Sequence, residues 1–122
     1  MSSEEKICDE ILGDNRYARY IAICDREGKI LGSSNRSNVS HLLSDEETHK
    51  SLKRAVNSWH SRDELAEKLG NGRFAVVAYD NLVRITIPLK NNRLLLVTLD
   101  GNKPYSLGEV FTIIEFVEDL KL

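Results

Sequence analysis

The hydrophobic positions of this chain change period several times, and each change marks an element. Ile7, Cys8, Ile11 and Leu12 recur at helical spacing behind Ser2 or Ser3 as cap, with Glu4 and Glu5 in the first turn and Gly13 as a stop. A helix this short is not stable alone, so its stripe must dock on something. Residues 14–16 connect. Residues 20–24 then alternate as a strand, Asp25-Arg26-Glu27-Gly28 forms a turn with glycine where positive φ is wanted, and residues 29–32 return. Residues 33–40 have no period and read as a loop that Val39, Leu42 and Leu43 tuck down.

Ser44-Asp45-Glu46-Glu47 has the form of a capping box and opens a long helix. Its stripe is Leu52, Val56, Trp59, Leu65, Ala66 and Leu69, and Gly70-Asn71-Gly72 ends it. Residues 61–64 repeat the capping pattern, which would allow a break near His60. The constant phase of Leu52, Trp59 and Ala66 instead predicts a continuous or kinked helix. Residues 73–99 follow as three apolar runs, FAVVAYD, VRITIPL and RLLLVTL, separated by Asp80-Asn81 and Asn91-Asn92. Such pairs favour the positive φ of tight hairpin turns, so the stretch reads as an antiparallel meander. Residues 100–105 turn the chain with the help of Pro104. Ser106 and Glu109 form another capping box, and the last helix runs to about Leu120. Leu107, Val110, Ile113, Ile114, Val117 and Leu120 cover one face of it, flanked by Phe111 and Phe116. The arc is about 200° wide, more than one docking face requires.

The order α-β-β-α-β-β-β-α thus gives an α+β domain spanning residues 1–122. The third and fifth strands are apolar on both sides, which requires cover on both sides. A five-stranded antiparallel sheet with helices on both faces follows. The fourth strand is one-sided: Val83, Ile85, Ile87 and Leu89 point one way, Arg84 and Thr86 the other.

Composition narrows the function classes. A length of 122 residues suits one domain, and 41% hydrophobic with 30% charged residues is ordinary for a folded chain. A formal charge of −2 gives bulk charge no role in binding nucleic acid or acidic lipid. No apolar run approaches a membrane span, and MSSEEKICDE lacks the apolar core of a signal peptide. Two cysteines, Cys8 and Cys24, make no disulfide framework and fit a reducing compartment. The expected location is the cytoplasm.

The element order and the hairpin YIAICDREGKILGSS resemble the roadblock (dynein light chain) domains of the profilin-like group. The wider pattern of DREGKIL, LLSDEET, KLG and FAVVAYDNLVRITIPL also resembles a family of small uncharacterised archaeal proteins with no established activity. The roadblock resemblance implies a strand order of 2-1-5-4-3, with the third strand at an edge beside the long helix. In such domains this edge pairs with its twin about a two-fold axis, with the long helices packed together. They serve as platforms for small GTPases or for motor and signalling assemblies. Independently of the resemblance, no lysine, proline or bulge blunts residues 74–79, and an open apolar edge finds a partner or aggregates.

The expected function is therefore a non-catalytic homodimeric adaptor or regulatory module. Its pairing surface would comprise Arg73, Phe74, Ala75, Val76, Val77, Ala78 and Tyr79, with Val56 and Trp59 from the helix. The alternative is a small-molecule sensor whose pocket lies under Trp59 and Tyr79, beside Arg84. A further partner or ligand surface would use Arg84, Phe111, Phe116, Glu115, Glu118 and Asp119.

No catalytic, metal or cofactor site is expected. His49 and His60 share a helix face but stand about 16 Å apart along its axis, too far to ligate one ion. Cys8 and Cys24 could meet across the core, yet no histidine lies nearby to activate either thiol. Gly70-Asn71-Gly72 follows a helix, whereas a phosphate loop precedes one. Basic Lys50, Lys53 and Arg54, with Arg16, Arg19 and Arg36, are offset on the long helix by Glu46, Glu47, Glu64 and Glu67, which argues against nucleic acid as a ligand. Trp59 suits the core by default, and an interface if it faces outward.

Overall fold

The computed structural model describes residues 2–37, 39–101 and 107–122. The turn expected around Pro104 and the Ser106 cap lie outside them. The elements are α1 (Ser3–Asp14), β1 (Ala18–Cys24), β2 (Ile30–Asn35), α2 (Asp45–Asp63), α3 (Ala66–Leu69), β3 (Ala75–Ala78), β4 (Leu82–Leu89), β5 (Arg93–Asp100) and α4 (Leu107–Asp119). The strands form one antiparallel sheet in the order β2-β1-β5-β4-β3, with β3 at an edge.

The expected layering is present. Ile11 of α1 and Val110, Ile113, Ile114 and Val117 of α4 bury one face of the sheet with Ile21, Ile23, Val83, Ile85, Leu95 and Val97. On the other face Leu52, Val56 and Trp59 of α2 pack on Ala22, Cys24, Leu94 and Leu96. Alternation along β5 therefore serves both layers, which is why its run reads as uniformly apolar. Cys8 and Cys24 fall in different layers, both buried, so they do not meet.

The local signals act with some corrections. The Ser2 hydroxyl accepts from Glu5 N–H, and Ser44 and Glu47 close a full capping box on α2. Gly13 does not stop α1. The helix continues to Asp14, and the buried Asn15 side-chain amide donates to the Ile11 carbonyl at 2.8 Å. Arg36 fixes the following connector by donating to the carbonyls of Leu12, Asn15 and Ala18, so it is not part of a basic surface. The first hairpin turns as expected, with Gly28 at φ 81° and the Asp25 carboxylate accepting from Glu27 and Lys29 N–H.

The long helix is two helices. Its first part ends at Asp63, Leu65 N–H bonds back to the Arg62 carbonyl, and α3 has no side-chain cap. The expected continuous stripe fails past Trp59: Leu65 is 54% and Leu69 77% exposed. Leu42 and Leu43 likewise stay partly exposed instead of being folded under. Of the two meander turns, Asn91 and Asn92 have φ of 62° and 57°, the paired positive values expected. Asp80 and Asn81 do not adopt positive φ. That turn is instead held by Tyr79 N–H donating to the Leu82 carbonyl and Gly101 N–H donating to the Asn81 carbonyl.

Candidate functional site

The chain approaches the open edge of β3 through a glycine three residues before the strand. Gly72 runs so close under α2 that an added Cβ would lie 2.3 Å from the Trp59 ring, so the chain can enter the edge strand there only without a side chain. Trp59 is 6% exposed and donates from its indole nitrogen to the Thr86 hydroxyl at 3.0 Å. The Arg62 guanidinium stacks on its ring at 4.6 Å. Trp59 and Val56, expected in the pairing surface, therefore spend their side chains on the sheet. Of the expected ligand pocket under Trp59 and Tyr79, beside Arg84, Trp59 is buried in the α2–sheet layer. Tyr79 and Arg84 instead line an open groove between α2 and the edge strand, of which Trp59 is not part.

Beyond Gly72, β3 pairs in simple register, Ala75 with Thr86 through Ala78 with Val83. Because Tyr79 N–H points at β4, alternation turns the N–H and C=O of Val77 and Ala75 the same way. The backbone groups of Val76 and Ala78 then face outward, with no partner among the described residues. The side chains around them are apolar and open: Val76 is 39%, Val77 49% and Tyr79 58% exposed. Ala75 packs toward α2 and Phe74 toward α4.

On the α4 side Phe74 meets Phe111 edge to face at 6.1 Å. Arg73 lies over the Phe74 ring and donates two hydrogen bonds to the Glu118 carboxylate, at 2.8 and 2.7 Å. That pair lowers the Glu118 pKa and raises that of Arg73, through the hydrogen bonds first. Of the expected partner surface, Phe111 is 48% exposed, whereas Phe116 is partly buried against the core. Glu115 and Asp119 are exposed. The surface thus divides: Arg84 lies on the α2 face and the α4 residues on the other.

Arg84 was expected at a ligand pocket for its position alone, and the structure adds its chemistry. It is partly buried, its guanidinium bonds the Ser51 hydroxyl, and burial lowers its pKa. Sequence reasoning missed its neighbours Arg54 and Arg62 as a set with it. Their spacing on α2 was visible, but not that β4 delivers a third arginine opposite them. Among the histidines, His41 stacks edge-on with Tyr20 and His60 lies 3.4 Å from Arg26. The described residues contain no cluster of three metal-ligating side chains, and none of their helices is long and apolar enough to cross a membrane.

No family model matches the chain, and no curated protein matches it by sequence. Solved structures do. The gliding protein MglB from Thermus thermophilus superposes with a TM-score of 0.73 at 17% identity, covering 98% of this chain and 88% of that one. A Roadblock/LC7 domain from Streptomyces avermitilis gives 0.62 at 11% identity, over 98% of each chain. Profilin IA of Acanthamoeba castellanii gives 0.61 at 12%, over 97% of this chain and 95% of that one. Together with the strand order and the edge position of β3, these likenesses establish that the chain has the roadblock fold of the profilin-like group.

Proposed function

We propose that the protein is a non-catalytic adaptor or regulatory module that works as a homodimer joined along β3. The observation that carries this reading is the open edge: outward backbone groups at Val76 and Ala78, bordered by exposed Val76, Val77 and Tyr79, with no gatekeeping charge between residues 74 and 79. Two such edges meeting antiparallel satisfy each other's backbone groups and bury these side chains. Arg73 and Phe74 sit at one end of the seam, where the ion pair to Glu118 holds them in place. The partner class implied by the roadblock resemblance is a small GTPase or other signalling protein. Phe111, beside Phe74, with exposed Glu115 and Asp119 on the same helix, offers that partner an apolar spot among acidic residues.

Light scattering after gel filtration should return twice the monomer mass for the native chain. Val76→Lys should weaken association by about tenfold or more with an unchanged circular dichroism spectrum, because it places a charge from each copy in one seam. A native chain that elutes as a monomer at high micromolar concentration would refute the pairing.

A further inference from the structure

The groove between α2 and the edge strand is lined by Arg54 and Arg62 from α2 and Arg84 from β4, with Ser51, Ser58 and Tyr79 among them and no carboxylate among the described residues. Arg54 and Arg62 make no ion pair among the described residues. The helix stripe that faces the groove is Ser51, Arg54, Ser58 and Arg62, and the same spacing leads back to Glu47 in the first turn. This face of α2 is therefore acidic at its start and basic further on. Such a face matches itself when reversed.

From this pattern we infer that the second copy fills the groove: the two α2 helices lie antiparallel, and Glu47 of each copy meets Arg54 of the other. The inference rests on the proposed pairing along β3 and names what joins the copies beyond the strands. Its register follows from the backbone. Val76 and Ala78 carry the outward groups of β3, and both are satisfied when Val76 of one strand pairs with Ala78 of the other. The two-fold axis then passes at Val77, perpendicular to the sheet, so both α2 helices lie on one face. Val77 pairs with Arg84, whose guanidinium bonds the Ser51 hydroxyl, which sets Ser51 near the level of the axis. From there α2 runs toward Trp59, which bonds Thr86 at the level of Ala75. Glu47 lies about 6 Å before Ser51 along the helix and Arg54 about 4.5 Å after it. The two-fold rotation thus brings Glu47 of one copy nearly level with Arg54 of the other, twice in each dimer. Ala75 of β3 already packs on α2, so the seam runs beside the helix, within reach of long side chains. The same reversal turns exposed Leu42 and Leu43, before α2 of one copy, toward exposed Leu65, after α2 of the other.

The test is sedimentation equilibrium of two charge reversals, alone and mixed. Arg54→Glu sets two like-charged acidic contacts in its own dimer, and Glu47→Lys sets two basic ones. Each alone should pair about tenfold or more weakly than the native chain. In a mixed dimer one contact is native and the other is reversed in sign, so both attract. An equimolar mixture should therefore pair within about threefold of the native chain, a recovery that damage to the fold of either variant would not give. Because Glu47 also closes the capping box, Glu47→Gln, which keeps that motif, provides a second reading. It should weaken pairing about threefold, as should Arg54→Gln, and the double variant should lose little more than either. Pairing of the native chain should also weaken as salt rises. A native dimer that both reversals leave unchanged, or a mixture no tighter than its components, overturns the helix contact while leaving the β3 seam in place. A native chain that stays monomeric overturns the seam itself, and the helix contact with it.

Discussion

Trp59 joins the α2 layer to the sheet through two different interactions, ring burial and one hydrogen bond to Thr86. The hydrogen bond is the more easily isolated. Thr86→Val keeps the shape but strands the indole N–H in a buried site, which should cost about 1–3 kcal/mol in a urea titration. The two thiols give a second residue-scale prediction. Burial, reinforced by Asp9, Glu4 and Glu5, pushes Cys8 up to about 12, and burial with Asp25 pushes Cys24 to about 11, from an ordinary value of 9.0. Both therefore stay protonated in the folded chain at pH values where the unfolded chain ionises them. Their contribution is fully present below pH 9 and is lost as pH rises through the folded values. Urea midpoints should fall between pH 9 and 11, less steeply in Cys8→Ala or Cys24→Ala. Residue identity alone revealed burial of these thiols, but not that they lie on opposite faces of the sheet.

At the scale of elements, period and turn chemistry made the strands and both layers legible. The errors came where two physical signals competed. The phase of Leu52, Trp59 and Ala66 suggested one long helix, yet the chain breaks after Asp63, and beyond the break Leu65 and Leu69 are exposed. Asp80-Asn81 and Asn91-Asn92 look alike in sequence, but only the second pair has positive φ, since Gly101 braces the first turn from outside. The difference is measurable. Asn92→Gly should stabilise the fold by up to about 1 kcal/mol by relieving a left-handed residue, whereas Asn81→Gly should destabilise it by a similar amount through added chain entropy. Chemical denaturation of the two variants checks both signs.

For the whole molecule, the sheet order explains why one edge matters more than the other. Ile30–Asn35 at the β2 edge is rich in glycine, serine and asparagine, with α1 lying close over Gly32. The β3 edge is apolar and open, beside a cationic groove on one side and the Phe74–Phe111 contact on the other. The edge itself could be read from the sequence because a missing gatekeeper is a local feature. The groove could not, because its arginines come from elements whose adjacency only the fold establishes. Val56 and Trp59 pack on the sheet for a related reason: helical spacing identifies an apolar stripe without saying whether sheet or partner takes it.

Pairing along β3 is tested most directly by amide hydrogen exchange at Val76 and Ala78, whose N–H groups point away from β4. Both amides should become protected as protein concentration rises, and Val76→Lys should abolish the protection at Ala78 while leaving Ala75 and Val77 protected by β4. Fast exchange at both positions in the concentrated native chain would contradict it.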